Sequence, residues 1–224
     1  MLDQLIIGNK ASVDDFDASV SARHISEAKK KEIKETVPFS NATYDFSAID
    51  GEIYWEEREL EYVFEILANS PAELEQKKTA FSGWVKNVMS ENLYDPFTPD
   101  YHYVGTFSNM DYADDESMLK TTATVKFSAY PYKVANIPTV YTVSVPGSAT
   151  VTVNFTNNSA HRMTPTIITD MAIIFAIDNA RWSIPAGEIT SDKIKLKVGT
   201  NDVEIQNLSE IDSNVIVRFY EEVF

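Results

Sequence analysis

The sequence predicts a mainly β protein of two domains, and three observations carry that expectation. Residues 118–133 alternate with the period of a strand, setting Thr121, Ala123, Val125, Phe127 and Ala129 on one face and Thr122, Thr124, Lys126, Ser128 and Tyr130 on the other. After Pro138 the chain becomes a series of short β-branched runs separated by turn residues, with no helical period. A single segment, opening at Ser70, has both the capping residues and the apolar stripe of a helix. Pro131 ends the strand of 118–133, because proline gives no N–H to a ladder and holds Tyr130 extended. Val134–Thr139 then reads as a stiff connector, so the expected domains are 1–135 and 136–224.

The limits set by composition agree. A chain of 224 residues, 44% hydrophobic and 12% aromatic, can bury one large core or two of roughly 100 residues each. Cysteine is absent, which excludes disulfides and thiolate metal sites. The N-terminus lacks a basic, then apolar, leader, and no apolar run approaches the roughly 20 residues that span a bilayer. The expectation is therefore a protein made and kept in a cytoplasm, or released from it by lysis, with no membrane partner. The Asn-x-Ser/Thr matches at Asn41, Asn154, Asn157 and Asn207 are accordingly expected to carry no glycan. The net charge of −15 argues against binding nucleic acid, because phosphate contacts need a basic surface. Residues 138–224 hold six cations against ten acids, so the part before them carries −11 of that total.

Taken in order, Leu5–Ile7 and Ser12–Ala22 read as short extended segments around a Gly8-Asn9 turn. Ser26–Glu35 holds three consecutive lysines, but Glu27, Glu32 and Glu35 neutralise most of their field, and a solvated charged segment is the simpler reading. Val37–Phe46 places Phe39, Tyr44 and Phe46 around a Ser-Asn turn, too apolar for a loop with nothing to pack on. Glu52–Leu67 reads as a strand pair: Ile53 and Trp55 begin it, and Leu60, Tyr62, Phe64 and Ile66 line one face opposite Glu59, Glu61 and Glu65. Ser70-Pro71-Ala72-Glu73 starts a helix whose stripe, Leu74, Phe81, Trp84, Val85 and Val88, runs to about Ser90. Asp111–Glu116 reads as an acidic loop. In the second domain, alternation at 141–145, 151–155, 167–168, 171–177, 181–184, 194–198, 203–205 and 215–220 predicts an antiparallel sandwich or jelly roll, with a hairpin turn at Gly199–Asp202.

The same residues supply no chemistry. Glu56, Glu57, Glu59 and Glu61 alternate as a wet strand face does, which does not single out a general acid and base. The acidic stretch lacks the alternating ligands and central glycine of a calcium loop. His24, His102 and His161 have no partners at metal-ligand spacing. There is no Gly-x-Ser-x-Gly, no phosphate loop and no dinucleotide fingerprint, and seven glycines in the whole chain leave little to build one from. No catalytic residue, cofactor or metal is expected; the protein is expected not to be an enzyme.

Several stretches together resemble the distal tail protein family of long-tailed phages that infect Gram-positive bacteria. Val37–Phe46 is similar to that family's Val-Pro-Gly-x-Asp/Asn-Gly-x-Tyr-Asp-Phe segment, with Phe39 and Ala42 where glycines are usual. Glu59–Ile66 resembles its Arg-x-Ile-x-Val-x-Phe strand, and Val125–Lys133 its Val-x-Phe-x-x-x-Pro-Tyr-Lys close of the first domain. Gly83-Trp-Val85, Tyr101–Gly105, Arg181–Gly187 and Ser213–Phe219 complete a match that runs along nearly the whole chain. The resemblance implies an N-terminal β-sandwich with a helix and an extended arm, closing as a homo-hexameric ring, and a C-terminal galectin-like β-sandwich. It implies a structural hub at the tip of a virion's tail. Its partners would be the tail tube protein, a tail-associated hub or lysin protein and a receptor-binding protein, with DNA only passing through the lumen. Acidic residues lining such a bore would repel DNA phosphates. Ile33, Val37, Phe39, Tyr44 and Phe46 are the candidate ring contact. The competing reading is a carbohydrate-binding module in the second domain, for which Trp182, Glu188, His161 and Arg162 are the candidates.

Overall fold

The computed structural model describes residues 4–36, 38–39, 41, 43–48, 51–115, 117 and 119–224. The chain is mainly β, as its alternation predicts, and falls into two compact units, Met1–Val134 with Phe224, and Ala135–Val223.

The first unit runs β1 (Ile6–Ile7), β2 (Lys10–Ala11), α1 (Ser12–Phe16), β3 (Ala18–Ile25), β4 (Lys34–Thr36), β5 (Thr43–Asp45), β6 (Arg58–Leu67), α2 (Pro71–Val85), β7 (Glu91–Tyr94), β8 (Tyr101–Asp115) and β9 (Lys120–Ala129). One antiparallel sheet has the order β2-β1-β7-β8-β9-β6-β3. Every second residue of β9, from Thr121 to Ala129, is buried, and β6 meets it in register, Phe64 opposite Ala123 and Leu60 opposite Phe127. On the wet face, Lys126 pairs with Glu59 and Glu61, and Lys120 with Glu65. Helix α2 lays Leu74, Phe81 and Val85 into the same core. Ser70 caps it by accepting from the Glu73 N–H, and Glu73 in turn accepts from the Asn69 N–H.

The short strand β10 (Lys133–Ala135) follows, and the second unit continues with β11 (Thr139–Val145), β12 (Thr150–Asn157), β13 (Thr166–Thr169), β14 (Ile173–Ile177), β15 (Ala180–Ile184), β16 (Gly187–Thr190), β17 (Gly199–Asn207), β18 (Ser213–Phe219) and β19 (Glu222–Val223). Two four-stranded antiparallel sheets, β11-β18-β13-β16 and β12-β17-β14-β15, enclose one core that includes Phe155, Phe175, Ile205 and Val217. Three buried asparagines hold its loops. Asn157 accepts from the Ser159 N–H and donates to the carbonyls of His161 and Leu196. Asn207 repeats that arrangement, accepting from the Ser209 N–H and donating to Ile211 and Val145. Asn201 accepts from the Lys197 N–H and donates back to the Lys197 carbonyl. Two of the four Asn-x-Ser/Thr matches are thus asparagines whose amides are consumed inside the fold.

Several local expectations are corrected. Ser12–Phe16 is helical, because the buried Ser12 exchanges hydrogen bonds with Leu5 and Asp15 accepts from the Ala11 N–H at the helix start. Glu52–Leu67 holds one strand rather than a pair: β6 begins only at Arg58, and before it the chain makes a single bridge, Trp55 to Lys30. Helix α2 stops at Val85 rather than near Ser90: the Asn87 amide donates to the Gly83 carbonyl, and the turns at Asn87 and Val88 tighten. Asp111–Glu116 is not a loop as far as Asp115, but the end of β8, where Asp114 takes hydrogen bonds from Lys78 of α2 and from Thr121. Those donors hold the Asp114 carboxyl below the usual aspartate range, Lys78 being the larger influence. The hairpin expected at Gly199–Asp202 is absent. Those residues belong to β17, paired along its length with β12, and the preceding turn is held by Asn201.

Candidate functional site

The antiparallel pair β3–β6 does not end where the sheet does. Beyond Ile25 and Leu60 it continues outward through Ser26, whose backbone and hydroxyl both bond Glu59. Next come Glu56 N–H to the Lys29 carbonyl and Lys31 N–H to the Tyr54 carbonyl, both 2.8 Å. Phe46 N–H then donates to the Ile33 carbonyl, and the arm finishes as the two-stranded ribbon β4–β5. Ser47 fastens it, accepting from the Ile33 N–H while its own N–H donates to Asp45. The Ser47 hydroxyl and N–H together hold the Asp45 carboxyl below its usual range. Where the arm leaves the sheet, Trp55 packs edge-on against Phe224 at 4.7 Å.

Strand alternation sorts the side chains of this ribbon. Lys34 lies opposite Asp45 and Glu35 opposite Tyr44, so Ile33, Tyr44 and Phe46 share one face, with the Tyr44 and Phe46 rings 6.3 Å apart. All three are exposed, and Phe39 at the tip is exposed to 108% of its reference surface. Phe39 also sits at φ 63, the left-handed region in which glycine is at ease and a bulky residue costs about 1–2 kcal/mol. The turn is thus of the kind a glycine favours, with an aromatic in its place. Val37 lies outside the described residues. Ile53 and Tyr54 on the returning chain are likewise exposed and extend the apolar character of the arm. Ile53, expected to open a sheet strand, lies on the arm instead, in a run of three large apolar residues, Ile53-Tyr54-Trp55, just before two glutamates.

At the root of the arm lies a cationic group that the sequence did not reveal. Arg58, the first residue of β6, is 4% exposed, and its Nε and Nη2 have no hydrogen-bond partner among the described residues. Nearby, Asp95 accepts from Arg23, from the Tyr62 hydroxyl and from the Phe97 N–H. Burial, reinforced by the Asp95 charge, pushes the Tyr62 hydroxyl far above the usual tyrosine range. Burial lowers the Lys133 ammonium, and the neighbouring Arg58 lowers it further.

The four candidates for sugar binding are only partly brought together. Trp182, half-buried on the edge strand β15, and Arg162 line one open cavity of about 550 Å³ with Asp178, Asn179, Lys193 and Lys195. His161 instead bonds Glu222 at 2.7 Å and the Arg162 carbonyl at 2.8 Å. Glu188 lies on the other sheet, paired with Arg218 at 2.6 Å. Among the described residues no group of three or more His, Asp or Glu is placed to hold a metal ion, and no helix is long and apolar enough to cross a membrane.

No protein-family model matches the sequence, and no curated protein matches it. The fold, however, matches the crystal structure of the SPP1 Dit (gp 19.1) protein, described as a paradigm of the hub adsorption apparatus in phages infecting Gram-positive bacteria. The TM-score is 0.69 at 13% identity, over 98% of this chain and 99% of that one. A match of that extent establishes a shared architecture along the whole chain, at an identity where sequence comparison is silent.

Proposed function

We propose that this chain is a structural virion protein of a phage tail tip, a member of the distal tail protein family. In this reading it closes as a six-membered ring that joins the tail tube to the adhesion apparatus. The observation that carries the reading is the architectural match over both units at once, since a shared sandwich alone would align only part of the chain. The exposed arm supports it. Ring closure needs a heterologous interface, one patch of each subunit against a different patch of the next. A ribbon with Ile33, Tyr44 and Phe46 on one face and Phe39 at its tip is an apolar surface seeking such a patch. Burying aromatic side chains at about 25 cal/mol per Å² contributes a few kcal/mol per contact, repeated at every joint of the ring.

The first unit is the ring-forming body in this reading. The second, galectin-like, unit holds the tail-associated hub or lysin protein or a receptor-binding protein. DNA passes through the lumen without specific binding, and the acidic balance of the chain eases that passage. Light scattering coupled to size exclusion on the purified chain, followed by electron microscopy of tail tips, tests the proposal. Hexameric rings at the tail tip support it. A chain that stays monomeric at every concentration and is missing from purified tails overturns it.

A further inference from the structure

We propose that the cavity beside Trp182 binds an acidic saccharide, a sugar ring carrying a carboxylate or a phosphate. The first ground is charge. After Pro138 acids outnumber cations ten to six, yet all three lysines of that stretch, Lys193, Lys195 and Lys197, fall within five residues. They alternate with the buried Ile194 and Leu196, so the segment turns its apolar side chains into the core and its ammonium groups out along one side. Lys197 reaches Asp178 at 3.4 Å, but no ion pair among the described residues engages Lys193 or Lys195. Arg162 lines the cavity too, so three cations there stand against the two carboxylates of Asp178 and Asp192, and a bound anion balances the remaining positive charge.

The second ground is shape and chemistry. Lys193 and Lys195 line the same open cavity as Trp182, whose indole packs partly on the core and is thereby held in place. The cavity volume, about 550 Å³, is in the range that holds a small ligand. A fixed indole offers a flat apolar face to the C–H side of a pyranose ring, while Asn179 and Asp192 on the cavity wall supply a donor and acceptors for its hydroxyls. Ammonium groups beside an aromatic wall thus select a ring that is both sugar and acid. This proposal does not depend on the tail-tip reading.

The full-length chain is titrated with digalacturonate, glucose phosphate, maltose and inorganic phosphate, and tryptophan fluorescence is followed in the wild type and in Trp182→Phe. The two acidic saccharides separate carboxylate from phosphate recognition. At least one of them should give a saturable signal that is lost in Trp182→Phe and weakens at high salt. The exposed pair Lys193→Ala and Lys195→Ala should keep the thermal midpoint and weaken binding roughly tenfold per lysine removed. Maltose binding as tightly as the acids, inorganic phosphate alone reproducing the signal, unchanged binding in the lysine variants, or silence from both acidic saccharides would each overturn the proposal.

Discussion

The two units use the same strand periodicity and treat their side chains oppositely. The second unit folds in on itself: two sheets share one core, and Asn157, Asn201 and Asn207 satisfy the carbonyls and N–H groups of its loops from inside. The first unit builds an equally buried core under α2, then extends a ribbon with Ile33, Phe39, Tyr44 and Phe46 in solvent. Among the exposed aromatics of the described residues only Tyr220 falls in the second unit, whereas Phe39, Tyr44, Phe46 and Tyr54 lie on the arm. Aromatic content therefore does not separate core from contact surface. What separates them is whether a second layer of the same chain covers the face of the strand: β4 and β5 pair with each other, yet Tyr44 and Phe46 stay exposed.

The sharpest way to break this contrast is to truncate the same residue type in both settings. Phe64→Ala, at a fully buried position, should cost about 3–5 kcal/mol in chemical denaturation. Phe39→Ala should leave the denaturation midpoint unmoved and reduce assembly in light scattering. A stability loss at Phe39 comparable to that at Phe64 would show the arm to be part of the monomer's core. In the second unit, Gly147 is the corresponding weak point. A Cβ there would stand 2.0 Å from the Glu210 carbonyl oxygen, so Gly147→Ala must push apart the two loops that Asn207 ties together. Asn207→Ala should cost about 2–3 kcal/mol by leaving several buried carbonyls unpaired, read as a lowered thermal midpoint.

Arg58 gives an effect of the opposite sign. Burying a guanidinium with two unpartnered nitrogens is costly, so Arg58→Met should leave the midpoint unchanged or raise it. A loss of more than about 2 kcal/mol would mean that the charge is compensated in the folded chain. The smallest expected effect is that of pH. Asp114 and Asp170 have carboxyls held below the ordinary aspartate value, Asp114 chiefly by Lys78 and Asp170 chiefly by the Ser213 hydroxyl. A depressed folded value means that the contribution is complete above the ordinary aspartate value of 3.8 and is lost as pH falls through the lower folded one. Asp114→Asn and Asp170→Asn should therefore flatten the acid side of the stability profile by lowering it slightly near neutrality while leaving it almost unchanged at the acid end.

Much of this architecture is legible in the chain because its causes are local. A strand with one face in the core must alternate, so Thr121 to Ala129 and Leu60 to Ile66 declare themselves from composition alone. A helix start needs its own caps, so Ser70-Pro71-Ala72-Glu73 does the same. The exposed aromatics Phe39, Tyr44 and Phe46 were also visible in the sequence, as residue types out of place. Tertiary structure alone decided which partner each strand takes. Gly199–Asp202 has the composition of a turn but is strand, because β12 offers a full-length ladder and the Asn201 amide closes the turn one step earlier. Asp111–Asp115 looks like a solvated loop but pairs with β9, because Lys78 of α2 stands over Asp114. Trp182, Lys193 and Lys195 meet at one cavity for the same reason: hydrogen-bond partners distant in sequence, not local preference, set where an edge strand and a loop come to rest.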